Sequence, residues 1–198
     1  MPERDTSQAQ EQLLKSITKL LQKSKISYMV TGALSVIFYG RPRASHDIDF
    51  VIEAKIKDIE KVKKALSSLS HDFLIQEDQI EDAIINNYSF NILHLPTMLK
   101  LDFFLLKDDE FDKSRFQRRK NLNVFGQMMN FASVEDTILI KLLWYQDIKI
   151  EKHLIDAAFV YQIQDKNLDK PYLSKWAKKH KTSDLLEELK LIDLENHY

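Results

Sequence analysis

The stretch that decides the fold reads TGALSVIFYGRPRASHDIDFVI and covers residues 31–52. It ends in an alternating run in which acidic Asp47 and Asp49 flank apolar Ile48. Such alternation predicts a β-strand. Because successive side chains of a strand point to opposite faces, Asp47 and Asp49 share one face. Ile48 and Phe50 then point to the other face, into the core.

Paired carboxylates of this kind suggest a metal site. Two carboxylates held close together repel each other unless a cation or a proton lies between them. A second acid, Asp102, lies inside the apolar run LKLDFFLL at residues 99–106, where a charge is costly unless it is paired or bound to metal. If this strand lies beside the first, Asp102 completes a site for two Mg²⁺ ions, with Mn²⁺ as the alternative. Asp102 would also be the natural general base for an attacking hydroxyl.

The start of the same stretch suggests a phosphate site. Gly32 follows a predicted strand at 26–30 and opens a short predicted helix. The N-terminus of a helix offers unpaired N–H groups to phosphate, and a glycine lets phosphate approach the backbone. Arg41 and Arg43 can neutralise phosphate charge near the metals.

Each feature also has a simpler structural explanation. An Asp-x-Asp pair at a strand end is often a solvated edge or a turn, and Gly32 would then serve only the turn. Arg43 would pair with a surface acid, and Asp102 would pair with Lys100, which alternation puts on the same face. The combination of all these features in this order favours a metal-dependent nucleotide site.

Hydrophobic periodicity predicts a mixed core followed by helices only. The core has predicted helices at 7–23, 33–39, 57–69, 80–85 and 111–119, and predicted strands at 26–30, 47–53, 88–95, 99–106, 121–125 and 128–132. Ser133 and Asp136 are typical of a helix cap, and helices are predicted at 134–146, 151–162, 173–179 and 183–194. We expect an α+β fold with a small mixed β-sheet flanked by helices over 1–132 and a C-terminal helical bundle over 133–198.

Composition narrows the class of protein. A chain of 198 residues with 44% hydrophobic residues can bury a core. The absence of cysteine excludes disulfides and thiolate chemistry. The polar segment at residues 2–11 does not resemble a signal peptide, and no apolar run could span a membrane, so we expect a cytoplasmic protein without membrane contact. With a net charge of −1, any nucleic-acid contact must come from local basic clusters.

The stretch resembles the signature of the DNA polymerase beta-like nucleotidyltransferase superfamily. That signature is a Gly followed by Gly or Ser, a short gap, an Asp-x-Asp pair and a third acid on a later strand. Here Gly32-Ala33 is separated from Asp47 by residues 34–46, and Asp102 supplies the third acid.

A closer resemblance is to the AbiEii and MenT-like bacterial proteins. Their Gly-x-x-Arg-x-Thr-x-Asp-Ile-Asp motif is matched by GRPRASHDID at residues 40–49. Their Ser-Pro-Glu-Asp helix start, followed by a lysine, is matched by SVED at 133–136 with Lys141. Their Lys-Asp-x-x-Asp helix is matched by KHLID at 152–156. The resemblance covers roughly residues 28–162.

The resemblance implies a nucleotidyltransferase fold and transfer of a nucleoside monophosphate from an NTP to a hydroxyl, with release of pyrophosphate. It implies that Asp47 and Asp49 bind both metals, while Asp102 ligates the catalytic metal and helps to deprotonate the acceptor. The nucleotide-binding residues that it implies are Gly32, Ala33, Arg43, Ser45, Lys141 and Lys152. Without the resemblance, Lys141 and Lys152 would be interpreted as exposed lysines of helix faces.

The resemblance further implies a toxin that acts on tRNA and has a cognate antitoxin. A protein hydroxyl or a small molecule such as an aminoglycoside is the alternative acceptor. Ala33 replaces the usual Gly or Ser, His153 replaces the first Asp of Lys-Asp-x-x-Asp, and an arginine often found before that motif is absent, with Lys149 nearby. These departures favour an alternative, a catalytically weak nucleotide-sensing or partner-binding module on the same fold. A metal-dependent phosphohydrolase is a second alternative, because the same carboxylates can activate water.

Overall fold

The computed structural model describes residues 3–197. Contacts divide the chain into two compact units. The first consists of the described residues up to Ala33 together with Ala44–Phe131, and the second consists of Leu34–Arg43 with the described residues from Ala132 onward. These units are groups of residues in mutual contact. The division into domains over 1–132 and 133–198, whose residues 1, 2 and 198 lie outside the described range, stays a prediction.

The elements follow one another in an order close to the predicted one. They are α1 (Glu3–Lys23), β1 (Ser27–Thr31), α2 (Gly32–Tyr39), β2 (Asp47–Glu53), α3 (Ile59–Ser67), β3 (Phe73–Leu74), α4 (Glu77–Asn86), β4 (Ser89–His94), β5 (Leu99–Leu105), α5 (Glu110–Gln117), β6 (Lys120–Val124), β7 (Gln127–Phe131), α6 (Val134–Ile148), α7 (Glu151–Gln164), α8 (Lys170–His180) and α9 (Ser183–Glu188). Short 3₁₀ turns cover Ile56–Asp58, Asp165–Asn167 and Glu195–His197. None of the helices within residues 3–197 combines the length and hydrophobicity needed to cross a bilayer.

The first unit contains a mixed sheet flanked by helices, as predicted. Within the described residues it has seven strands in the order β3-β4-β5-β2-β1-β7-β6. Strands β2 and β5 are parallel, as are β1 and β7, and the other neighbours are antiparallel. Strands β4 and β5 are antiparallel neighbours around Pro96, and β6 and β7 form a hairpin at Gly126.

A row of phenylalanines fixes the register of the central strands. Phe103 of β5 stacks on Phe50 of β2 at a centroid distance of 5.1 Å and on Phe90 of β4 at 5.0 Å. All three rings are almost fully buried, so a slip of one residue would expose them and bury the polar face instead. The predicted burial of Ile48 and Phe50 is confirmed, since neither has any exposed surface.

The second unit is helical. Ser133 caps α6, because its hydroxyl accepts a hydrogen bond from the backbone N–H of Asp136 at 3.1 Å, which confirms the predicted cap. Pro171 lies in the first turn of α8, where the missing N–H is not needed. The side chain of Asp169 caps that helix by accepting from the N–H of Tyr172.

One local prediction was wrong, and one short element was missed. The last helix does not run to residue 194 but ends at Glu188. The side-chain amide of Gln162 donates to the backbone carbonyls of Leu189 at 2.7 Å and Ile192 at 2.8 Å, so these carbonyls have a partner outside a regular helix. The short strand Phe73–Leu74 was not predicted, because two residues are too few to show an alternating pattern.

Candidate active site

The three predicted metal ligands lie on one face of the sheet, here called the carboxylate face. Asp49 of β2 is the register partner of Asp102 of β5, and neighbouring strands lie about 4.8 Å apart. Asp47, two residues earlier on β2, points to the same side. Asp47 is exposed, and Asp49 and Asp102 are half-buried. Folding therefore brings together acids from strands that are far apart in the sequence.

Gly32 is required by the position of Asp49. The backbone of Gly32 has φ +64°, in the left-handed region, and a Cβ atom placed there would lie 1.8 Å from Asp49 Oδ2. That same oxygen lies 3.4 Å from the backbone N–H of Ala33 in the first turn of α2, and a carboxylate near a helix N-terminus is stabilised. In this structure the missing side chain of Gly32 makes room for Asp49, whereas the sequence analysis had reserved that room for phosphate.

Lys100 shares the carboxylate face. Its Nζ lies 2.8 Å from Asp102 Oδ1, as the simpler explanation of Asp102 anticipated. The hydrogen bond with Asp102 raises the pKa of Lys100 above its ordinary value, although burial opposes this, and the charges of Asp47 and Asp49 raise it further. All three aspartates thus stabilise the charged form of Lys100.

The carboxylate face has the donors for a hard divalent cation. Among the side chains that the structure describes, those of residues 8–197, no three from His, Asp and Glu already stand in a metal-holding arrangement. Lys100 holds one oxygen of Asp102, and Asp49 Oδ2 faces Ala33. The donors themselves are all carboxylate oxygens, the ligands that Mg²⁺ prefers, and a cationic group already contacts one of them. These residues therefore fit Mg²⁺.

A second cluster lies in the helical unit and is called here the Asp156 cluster. Asp156 on α7 has no exposed surface. It accepts from Arg41 Nη1 at 2.8 Å and from Arg43 through Nε at 3.0 Å and Nη2 at 2.9 Å, and Lys141 Nζ lies 3.0 Å away. Burial alone would raise the pKa of Asp156, but the charges of Lys141 and Arg43 outweigh it and hold the pKa below its ordinary value.

Asp156 is the functional candidate that the sequence analysis did not assign. It entered only as a match to the last acid of a family motif. The signal was present, since Asp156 lies in the apolar segment LIDAAF at residues 154–159. A charge inside an apolar element is costly unless it is paired, and this holds for Asp156 as it does for Asp102. The ring of Phe159 on the same helix lies 5.0 Å from the guanidinium carbon of Arg41.

The other predicted nucleotide-binding residues have different environments. Lys141 is buried in the Asp156 cluster, so its interpretation as an exposed lysine was wrong, whereas Lys152 is exposed. The hydroxyl of Ser45 forms a local hydrogen bond to the backbone carbonyl of Asp47 at 3.2 Å. Arg43 contacts Asp156, an acid without exposed surface, and not a surface acid.

His153 lies one helical turn before residue 156 and packs against Trp144 with a centroid distance of 5.3 Å. Its Nδ1 is buried and has no hydrogen-bond partner among the described side chains of residues 8–197. Burial lowers the pKa of His153, the charge of Lys141 lowers it further, and the charge of Asp156 opposes them. The residue that departs from the family motif is thus a half-buried imidazole that favours its neutral form.

Residues 28–197 match the family described as "Nucleotidyl transferase AbiEii toxin, Type IV TA system". The chain belongs to the AbiEii family. It is therefore a nucleotidyltransferase, and the family resemblance inferred from the motifs at residues 40–49, 133–141 and 152–156 is confirmed. No curated protein matches the sequence at a significant level.

Solved structures share the fold of this AbiEii-family chain. A solution structure of the antibiotic-resistance factor ANT(2'')-Ia has a TM-score of 0.61 and 13% identity, and the match covers 91% of this chain and 96% of that one. A crystal structure of ANT(2'')-Ia in complex with adenylyl-2''-tobramycin has a TM-score of 0.60 and 14% identity, covering 88% and 98%. A nucleotidyltransferase-like protein from Paracoccidioides brasiliensis has a TM-score of 0.54 and 19% identity, covering 91% of each chain. At these identities, the similarity establishes the nucleotidyltransferase fold.

Proposed function

We propose that this AbiEii-family enzyme uses Mg²⁺ to transfer a nucleoside monophosphate from an NTP to a hydroxyl, with release of pyrophosphate. The observation that supports the proposal most is the register pairing of Asp49 with Asp102, with Asp47 on the same face. Asp47, Asp49 and Asp102 would hold the ions, and Mn²⁺ is the alternative metal. When bound, the ions supply positive charge to the triphosphate and activate the attacking hydroxyl.

The protein's own groups would do the remaining work. Asp102 is half-buried on an open sheet face, so its second oxygen can accept the proton of the acceptor hydroxyl. Gly32 and Ala33 in the first turn of α2 would lie beside the triphosphate, next to Asp49, whose Oδ2 lies 3.4 Å from the N–H of Ala33. Arg43, Ser45, Lys141 and Lys152 would contact phosphate or base. Arg41, Arg43 and Lys141 all pair with the single carboxylate of Asp156, so the cluster keeps a net positive charge, which suits an anionic ligand.

The acceptor in this proposal is tRNA, and the partner is a cognate antitoxin. The antitoxin is supported by the description of the family as a toxin of a type IV toxin–antitoxin system. The tRNA acceptor is taken from the family resemblance of the sequence motifs. A tRNA acceptor would make the cytoplasm the site of action. A small-molecule hydroxyl is the second candidate, because ANT(2'')-Ia, with a similar fold, has been crystallised with adenylyl-2''-tobramycin.

The test is incubation of the enzyme with each α-labelled NTP, with and without Mg²⁺, and with tRNA, cell protein or an aminoglycoside as acceptor. We expect label on one acceptor class, dependent on the metal, and a loss of about a thousandfold for Asp49→Asn. Asp58→Asn is the matched control, because Asp58 is an ion-paired carboxylate of the same unit that lies on an exposed 3₁₀ turn.

Other outcomes would contradict parts of the proposal. Transfer that persists in the presence of a chelator would show that Mg²⁺ is not needed. Transfer by Asp49→Asn at the rate of wild type would show that Asp49 does not belong to the site. Nucleotide binding without turnover would favour the sensing or partner-binding module. Release of free nucleotide without a labelled acceptor would indicate a phosphohydrolase.

A further inference from the structure

Lys100 occupies a position on the carboxylate face that no step of the proposed reaction uses. In the register of the parallel strands, Lys100 lies directly opposite Asp47, and its ammonium lies 2.8 Å from Asp102. The side chain of Asp102 is 17% exposed and that of Lys100 is 45% exposed. The ion pair is therefore open to solvent and to any ion that arrives from it.

The surroundings of this ion pair differ from those of an ordinary surface pair. Asp47, Asp49 and Asp102 on one face repel one another unless a cation lies among them. Lys100 contacts Asp102 directly and is the register partner of Asp47, so its ammonium is placed among the carboxylates of this face. Because the proposed reaction leaves the second oxygen of Asp102 to the acceptor proton, a divalent ion on this face would compete with Lys100 for Asp102 Oδ1.

We propose that Lys100 is a tethered counter-cation that neutralises the carboxylate face of the metal-free enzyme and competes with the divalent ion for Asp102. This inference rests on the proposed function, because it takes the three aspartates as metal ligands. The flexible four-carbon side chain lets the ammonium leave without movement of the strand. Lys100 therefore weakens metal binding and stabilises the enzyme while no metal is bound.

Removal of the charge of Lys100 distinguishes a competitor of the metal from an ion pair that only stabilises the fold. Lys100→Met keeps an apolar stem of similar length but leaves the three carboxylates without the ammonium. The variant should bind a divalent ion more tightly and should be less stable than wild type before metal is added. Lys100→Arg keeps the positive charge and should retain the affinity of wild type or bind the ion more weakly.

The experiment is a titration of the full chain with Mn²⁺ alone, in which the free ion is followed by electron paramagnetic resonance. We expect the Kd of Lys100→Met to be lower than that of wild type by about threefold to tenfold, the range set by a partly exposed ion pair. Lys61→Met is the matched control, because Lys61 and Asp58 form a pair at 2.9 Å with side chains 42% and 20% exposed. Its Kd should equal that of wild type.

Thermal unfolding with and without Mn²⁺ gives a second measurement. The Tm of Lys100→Met should fall in the absence of metal and should rise more on addition of Mn²⁺ than the Tm of wild type. Circular dichroism establishes that each variant is folded before it is compared.

The outcomes separate this inference from the proposed function. If Lys100→Met and wild type bind Mn²⁺ equally while Asp102→Asn loses binding, the role of Lys100 is overturned and the metal site stands. Weaker binding by Lys100→Met would also overturn it. If neither wild type nor Lys100→Met binds Mn²⁺, the proposed metal site itself fails.

Discussion

Asp102 and Asp156 are both acids in apolar segments that pair with cations, but their surroundings differ. Asp102 lies on the carboxylate face, 17% exposed, and contacts a lysine that is 45% exposed. Asp156 has no exposed surface, and the lysine that contacts it, Lys141, is 4% exposed. Two arginines contact Asp156 as well. The pair of Asp102 with Lys100 is accessible to cations from solvent, whereas Asp156 is surrounded by the protein's own cations.

Because of this difference, Asp102 is accessible to a ligand, whereas Asp156 stabilises the fold. A solvent-exposed ion pair contributes about 0–1 kcal/mol to stability. Removal of one partner from a buried pair costs about 3–5 kcal/mol, because the remaining charge is left buried without compensation. We therefore propose that Asp102 takes part in the reaction and that Asp156 positions Arg41, Arg43 and Lys141.

The largest effect on stability should follow from Asp156→Ala. The substitution leaves the buried ammonium of Lys141 without its carboxylate, and the free energy of unfolding should fall by about 3–5 kcal/mol in urea denaturation. Asp165→Ala is the control, because Asp165 forms an exposed pair with Lys170 at 2.8 Å. If Asp156→Ala loses no more unfolding free energy than Asp165→Ala, the Asp156 cluster does not differ from an exposed ion pair, and the contrast with the carboxylate face fails.

A smaller effect should follow from Gly32→Ala, which tests how the carboxylate face is built. An alanine in a left-handed backbone conformation lowers the stability of the fold by about 1–2 kcal/mol. The new Cβ also pushes Asp49 away from its place. Nucleotidyl transfer should fall by about tenfold to a hundredfold, since misplacement by an ångström has effects of this size.

Gly126→Ala is the matched control for that substitution. Gly126 also has a left-handed φ of +79°, but a Cβ there would meet nothing within 4 Å. It should show the backbone strain without the loss of transfer. If both variants lose transfer equally, the contact between Gly32 and Asp49 does not matter to the reaction.

The smallest effect concerns the dependence of stability on pH near the Asp156 cluster. Burial, and then the charge of Lys141, place the folded pKa of His153 below its ordinary value, which is about 6.5. The unfolded chain therefore takes up a proton before the folded chain does. The stability due to neutral His153 is present above about pH 6.5 and is lost as the pH falls toward the folded pKa.

The check is to compare the unfolding free energies of wild type and His153→Asn between about pH 5 and pH 8. Wild type should lose more stability on acidification than the variant. Subtraction cancels the contributions of the other histidines. Parallel curves would show that His153 does not titrate differently in the folded chain.

The sequence predicted individual elements better than their contacts. Strand β2 was predicted with its observed bounds, because alternation around Asp47 and Asp49 is a local signal. That β5 is the parallel neighbour of β2 depends on the stacking of Phe50 with Phe103, which no local pattern encodes. From the sequence alone, a site that includes Asp102 can therefore be predicted only on the condition that β2 and β5 are neighbours.

The Asp156 cluster shows the same limit. Its cations come from residues 41, 43 and 141, and their meeting at one carboxylate is a result of helix packing. A family motif identified the residues, but only the fold shows that Lys141 is buried and that Lys152 is exposed. The end of α9 likewise depends on the distant side chain of Gln162.

The most direct test of the central claim is the rate of nucleotidyl transfer by Asp102→Asn, measured beside its free energy of unfolding. We predict a loss of transfer of about a thousandfold with a change in stability of no more than about 1 kcal/mol, while Asp58→Asn retains the rate of wild type. Transfer by Asp102→Asn within a few-fold of wild type would contradict the account.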